Sequence, residues 1–140
     1  MKPKDLNEFP SWVLLFVGIF DVIRGFMHTF NIFWAVETFA KLDLSVAKDA
    51  QLFLLAAFGI SNYLTGFIFI LISRKAKHLS VYMLSFILAA YALGIVAMRF
   101  VGLTRGDNAF SGMVIMMGYL LICLLTLIKF AWDHHASRNI

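Results

Sequence analysis

Four long apolar runs constrain the fold of this chain more than any other feature. A bilayer core about 30 Å thick is crossed by roughly 20 apolar residues in a helix, and residues 12–34, 50–73, 79–100 and 110–132 each reach that length. Hydrophobic residues make up 61% of the 140 residues and charged residues 14%, whereas a soluble domain has about 45–50% and about 25%. A soluble fold and a disordered chain are both excluded. The sequence predicts one all-α domain over residues 1–140, a polytopic membrane protein with four transmembrane helices in an antiparallel bundle.

The ends of the runs support this assignment. Trp12, Trp34 and Trp132 fall at the predicted interfaces, where an indole ring sits between headgroups and acyl chains. Residues 74–78 form a very short link between the second and third runs. Because so short a link cannot span a wide gap, we expect these two helices to be antiparallel neighbours.

Basic residues in the short connections predict the orientation of the chain. Cytoplasmic loops carry an excess of lysine and arginine. The two tails and the second link hold seven such residues, and the opposite side holds four. We therefore expect a multi-pass protein of the cell (plasma or inner) membrane with both termini in the cytoplasm. The seven are Lys2, Lys4, Arg74, Lys75, Lys77, Lys129 and Arg138, and the four are Lys41, Lys48, Arg99 and Arg105.

The first run carries ionisable residues at membrane depth. On a helical wheel, Arg24 and His28 lie within the same arc as Asp21, while Ile23 and Phe26 occupy the other side. A polar stripe of this kind faces protein or water because contact with acyl chains is costly. Asp21 and Arg24 are three residues apart and can form an ion pair on the helix surface.

Two interpretations of this polar stripe remain open. In the first, it is a site open to the outer side that binds or conducts a proton, an ion or a small polar ligand, as intramembrane ionisable clusters commonly do. In the second, the Asp21–Arg24 pair is structural and fixes how the helices pack. His28 fits either a proton carrier or an interfacial histidine.

The second run repeats part of the first. Residues 59–67 (GISNYLTGF) align with residues 18–26 (GIFDVIRGF), so that Asn62 takes the place of Asp21. Small residues at helical spacing let helices approach closely in a membrane. We therefore expect the first and second helices to pack through these glycines, placing Asn62 and Tyr63 beside Asp21.

The remaining features add few candidates. Arg99 ends the third run, where it either snorkels to the interface or adds a cation to the Asp21 cluster. The sequence has no metal-binding motif, no phosphate-binding loop and no nucleophile elbow, so we expect no metal site and leave the cofactor unknown. No basic helix lies outside the apolar runs, which argues against a nucleic-acid partner.

The stretch from Gly18 through Gly25 to His28, together with the basic link 74–78, resembles the DoxX-like membrane proteins. These are small four-helix chains linked to quinone-dependent redox systems, so the resemblance implies a quinone-linked redox function.

The sequence as a whole is compatible with three function classes: a non-enzymatic binding or conducting protein, a structural subunit of a larger membrane complex, and a membrane redox or lipid enzyme. The lipid bilayer is the expected environment. With so little mass outside the membrane, we also expect a homo-oligomer or other membrane subunits as partners.

Overall fold

The computed structural model describes residues 6–102 and 112–138, and these residues form helices and short connections without β-strands. Four helices are long and apolar enough to cross a membrane, which confirms the predicted all-α class and the four apolar spans. The predicted start of the fourth span, at residue 110, lies outside the described residues. In chain order the helices are α1 (Glu8–Thr29), α2 (Ile32–Ala35), a π-helical turn (Val36–Ala40), α3 (Lys48–Lys75), a 3-10 turn (Lys77–Leu79), α4 (Ser80–Phe100) and α5 (Gly112–Arg138).

The first long helix is displaced from its predicted bounds of 12–34. It starts earlier, at Glu8, because Pro10 lies in the first helical turn, where a missing N–H costs nothing. It ends earlier because the backbone breaks at Asn31, which has φ −113° and ψ 36°. Just before the break, the Thr29 hydroxyl donates to the Gly25 carbonyl at 2.9 Å, a contact that bends helices.

The α1 helix is the centre of the fold. It packs most extensively against α3 and also contacts α4 and α5, whereas α3 and α4 contact each other little. The short link between α3 and α4 therefore does not make them close neighbours along their length, because α3 packs mainly on α1, whereas α4 packs most extensively on α5 and also contacts α1. The limited contact between α3 and α4 leaves space between them.

Glycines form the seam between α1 and α3. A Cβ on Gly66 would lie 2.7 Å from the Gly18 carbonyl oxygen, and one on Gly25 would lie 3.0 Å from the Gly59 carbonyl oxygen. Residue numbers fall along α3 as they rise along α1, so the two helices run in opposite directions at this seam. Close approach of small residues supplies the packing that the hydrophobic effect does not supply between helices in lipid. The two repeated motifs thus contact each other, as expected from the sequence.

The start of α1 and the ends of α3 and α5 lie together, and we call this the tail end of the bundle. The Arg74 guanidinium carbon lies 5.5 Å from the centre of the Trp12 ring, and the Lys129 ammonium lies 5.6 Å from the centre of the Phe9 ring. A hydrophobic core joins all four long helices next to this end. Its buried residues are Leu14, Val17, Phe69, Leu84, Ile87, Tyr119 and Cys123.

One buried polar group near the tail end has no hydrogen-bond partner among the described residues. Ser80, the first residue of α4, is fully buried, and its hydroxyl forms no hydrogen bond with any described residue. Ser73 is buried as well, but its hydroxyl donates to the Ile70 carbonyl at 2.8 Å.

Replacing Ser80 with alanine should therefore raise the free energy of unfolding by about 1 kcal/mol, because the cost of burying an unpaired hydroxyl is removed. Ser73→Ala is the matched control and should give no such gain, since that hydroxyl is already paired. Unfolding in mixed micelles, followed by circular dichroism, measures both variants. A loss of stability in Ser80→Ala would show that this hydroxyl has a partner in the folded protein.

Candidate functional site

Asp21 and Arg24 form an ion pair inside the bundle. The Arg24 Nη1 lies 3.1 Å from the Asp21 Oδ1, and the two side chains are 15% and 6% exposed. Asp21 lies 13 residues after the first residue of α1, or about 20 Å along the helix axis. Charges at this depth are costly unless they are paired. Pairing therefore lowers the cost of keeping both charges inside the bundle, midway along a helix long enough to cross a membrane.

The pair leaves most of the Arg24 guanidinium available. The guanidinium has five N–H donors in a rigid plane, yet its bond to Asp21 is the one hydrogen bond that it forms with the described residues. The Phe20 and Phe58 rings lie beside it, with their centres 6.0 and 5.7 Å from its central carbon. Aromatic faces attract the cation without using its N–H groups. Arg24 is thus held in place with donors still free to bind an acceptor.

Asp21 has two further neighbours on other helices. The Thr65 hydroxyl of α3 lies 3.5 Å from Asp21 Oδ2, and the Tyr119 hydroxyl of α5 lies 3.4 Å from the same oxygen. Both distances are long for O–H···O hydrogen bonds, so Arg24 is the principal partner. Thr65 was absent from the predicted site. In the alignment of the two repeated motifs, Thr65 takes the place of Arg24. This alignment could have identified Thr65 as a candidate site residue.

A cavity of about 390 Å³ lies beside the ion pair. This volume is in the range of small-molecule sites, about 300–1,000 Å³. Its walls come mainly from α3 and α4, the two helices that contact each other little, while α1 and α5 form its base. The α1 and α5 lining residues are all polar, and the lining from α3 and α4 is mostly apolar but includes the polar residues Ser61, Asn62, Thr65 and Tyr91. The lining residues on α1 and α5 are Asp21, Arg24 and Tyr119.

Asn62 connects the cavity to His28. Asn62 is buried, lines the cavity and is joined to His28 by a hydrogen bond of 3.3 Å between Asn62 Nδ2 and His28 Nδ1. The His28 ring also packs beside Phe58, with 5.7 Å between the ring centres. His28 is therefore linked to the site through Asn62 and does not itself line the cavity.

Two predicted site residues lie elsewhere. The Tyr63 ring packs against Gly25 in the seam, and its hydroxyl lies 3.1 Å from the Thr29 hydroxyl. Arg99 is exposed in the last turn of α4 and is not among the residues that line the cavity. The structure therefore brings together Asp21, Arg24 and Asn62, with His28 attached, and leaves Tyr63 and Arg99 outside the cavity.

The hydrophobic core closes the cavity on the side of the tail end. Phe69 and Ile87 belong both to the cavity wall and to the buried core. Met83, one helical turn nearer the tail end than Ile87, also lines the cavity and packs against this core, in which Leu14 and Leu84 are fully buried. In the part of the chain that the structure describes, no three His, Cys, Asp or Glu side chains form a group able to hold a metal ion.

The geometry thus describes a buried ion pair, whose arginine forms one hydrogen bond with the described residues, beside a cavity with a mostly apolar lining. Comparison with known proteins gives no match to any family model, curated protein or solved structure. The resemblance to the DoxX-like proteins stays a hypothesis. The function of the site is therefore inferred from the residues that form it.

Proposed function

We propose that this protein binds a small ligand in the cavity beside Asp21 and Arg24, with an acceptor atom of the ligand on the Arg24 guanidinium. One observation carries the proposal: Arg24 is almost enclosed, yet a single hydrogen bond joins it to the described residues, and a cavity of about 390 Å³ adjoins it. An arginine whose only role was packing would gain more from a bidentate bond to its carboxylate partner. The free donors facing a cavity favour binding.

The arrangement favours binding over conduction of a proton or ion. Conduction across the bundle needs polar groups along the whole path. On the tail side, the cavity is lined by the apolar residues Phe69, Met83 and Ile87, which pack in the same core as the fully buried Leu14 and Leu84. An ion would lose its hydration there without gaining ligands, at a cost of several kcal/mol. Ligand binding requires no such path.

We also propose a topology for the chain. It crosses the cell membrane four times as an antiparallel bundle, and the tail end lies in the cytoplasm. Ser137 of α5 and Ser45, between the π-helical turn and α3, are both exposed, and the one cysteine, Cys123, is buried. In intact cells, a membrane-impermeant maleimide should label Ser45→Cys and leave Ser137→Cys unlabelled. The reverse pattern would invert the proposed orientation.

The binding proposal is tested by native mass spectrometry of the full chain released from mild detergent. We expect a bound small molecule on the wild-type protein that is lost from the double variant Asp21→Asn/Arg24→Gln, which removes both charges while keeping polar side chains: asparagine has the shape of aspartate, and glutamine is shorter than arginine. The control is Lys129→Gln/Asp133→Asn, which neutralises the exposed ion pair of 2.6 Å in α5. Equal retention in both double variants would contradict the proposed site.

A further inference from the structure

The cavity beside Arg24 opens sideways, toward the acyl chains. Several of its lining residues are exposed on the outside of the bundle: Phe58, Ser61, Thr65 and Ile68 on α3, and Phe86 and Ala90 on α4. Thr65 lies ten residues before the end of α3 and 17 after its start, so it is at least about 15 Å from either end. Exposure at this depth in a spanning helix means contact with lipid. We call this opening, lined by those six residues, the α3–α4 portal.

The portal walls suit a hydrocarbon chain. The Phe86 side chain is 63% exposed and Ile68 is 39% exposed, and both border the same cavity as Arg24. The two exposed hydroxyls at the portal are already paired with the helix backbone: Ser61 donates to the Ala57 carbonyl at 3.3 Å, and Thr65 donates to the Ser61 carbonyl at 3.1 Å. An apolar tail in the portal therefore leaves no hydroxyl donor unpaired.

The net charge of the site determines which ligand headgroups can bind beside Arg24. Asp21 and Arg24 are opposite charges joined at 3.1 Å, so together they are neutral. An anionic headgroup would add an unbalanced charge at membrane depth, where an unpaired charge costs several kcal/mol. A neutral headgroup with a carbonyl or hydroxyl oxygen can accept a hydrogen bond from Arg24 and adds no charge. A hydroxyl can also donate to Asp21.

From these contacts we propose that the ligand is an uncharged amphiphile from the bilayer, with a hydroxyl- or carbonyl-bearing headgroup on a hydrocarbon tail. It enters through the α3–α4 portal, its headgroup reaches Arg24, and its tail stays between α3 and α4. This inference rests on the proposed function and specifies the class of ligand and its route.

Photolabelling of the full chain in phosphatidylcholine nanodiscs tests both the class of the ligand and its entry through the α3–α4 portal. The probe is a monoacylglycerol with a diazirine in its acyl chain, and labelled peptides are located by mass spectrometry. We expect saturable labelling of α3 and α4 at the portal, displaced by excess unlabelled monoacylglycerol. An alkyl sulfonate probe with the same diazirine-bearing chain, which stays ionised at neutral pH, should label at least about tenfold more weakly because of its charge. Equal labelling by both probes would overturn the claim of an uncharged headgroup.

Two adjacent alanines provide a matched pair of variants. Ala90 lines the portal and Ala89 does not, and both are exposed on α4. Leucine at either position suits a lipid-facing helix, so both variants should fold. Ala90→Leu fills part of the portal and should reduce monoacylglycerol labelling about tenfold, whereas Ala89→Leu should leave it unchanged. Equal labelling of the two variants would overturn entry through the portal.

A tail-free probe separates this inference from the proposed function. Glycerol monoacetate has the same ester and hydroxyl groups as the monoacylglycerol headgroup. If it binds in a manner that the Asp21→Asn/Arg24→Gln variant abolishes, while the tailed probe does not label the portal, the inference is overturned and the proposed function stands. If neither probe binds the wild-type protein and no bound molecule is found on it, both are overturned.

Discussion

Replacing Arg24 with glutamine should reduce the free energy of unfolding by about 3–5 kcal/mol, among the largest effects expected for any single change in this chain. The reason is the carboxylate that remains. Asp21 is 4% exposed, and its other two donors, on Thr65 and Tyr119, lie at long distances of 3.5 and 3.4 Å. Removing the guanidinium leaves a buried charge without a close partner. Unfolding by sodium dodecyl sulfate in mixed micelles, followed by circular dichroism, measures the loss.

The double variant Asp21→Asn/Arg24→Gln is the control for this prediction. It removes both charges, and replacing a buried ion pair by neutral groups is often nearly neutral for stability. We expect it to be more stable than Arg24→Gln by at least about 2 kcal/mol. A single variant as stable as the wild type would contradict the ion pair described above. A double variant that folds but binds no ligand would separate the binding role of the pair from its structural role.

Replacing Gly66 with alanine should destabilise the bundle by about 3 kcal/mol, the upper end for an overpacked position. The added Cβ would lie 2.7 Å from the Gly18 carbonyl oxygen and 2.7 Å from Val22 Cγ2. The first of these atoms belongs to the backbone and cannot turn away, so α1 and α3 must separate. Because α1 contacts each of the other long helices, the change should also disturb the cavity. The same unfolding measurement reports the loss.

Gly94 is the matched control, since it also lies inside a spanning helix. A Cβ on Gly94 meets no atom within 4 Å, and alanine is favoured over glycine in a helix by about 1 kcal/mol. Gly94→Ala should therefore leave stability unchanged or raise it slightly. Equal losses at Gly66 and Gly94 would mean that close packing at the seam is not what holds α1 against α3.

Much of the fold could be predicted from the sequence because lipid allows few solutions. The length of each apolar run fixes a spanning helix, and the structure has four helices that meet this condition. The exposed side of α1 was also predictable: Ile19, Ile23 and Phe26 are exposed while Gly18 and Asp21 are buried. The repeated glycine motif indicated the seam between α1 and α3.

The parts that could not be predicted depend on side-chain reach and on contacts between distant segments. Tyr63 follows Asn62 in sequence, but one residue turns a helix by about 100°, so Tyr63 faces Gly25 and Thr29 and not the cavity. A buried tyrosine needs a hydrogen-bond partner, which makes Tyr119 and Tyr91 candidates for lining the cavity, but Tyr119 is 98 residues from Asp21 and no spacing rule predicts their contact. The space between α3 and α4 arises because α3 packs mainly on α1 while α4 packs on α5 as well as on α1, and no single segment determines this.

If Arg24 binds a ligand inside the membrane, an experimental structure of the full chain purified in its native lipids, at a resolution that shows side chains, should reveal that ligand. We expect density for a non-protein molecule within hydrogen-bond distance of the Arg24 guanidinium, extending between α3 and α4. A bidentate Asp21–Arg24 pair in a closed and empty bundle interior would contradict this expectation.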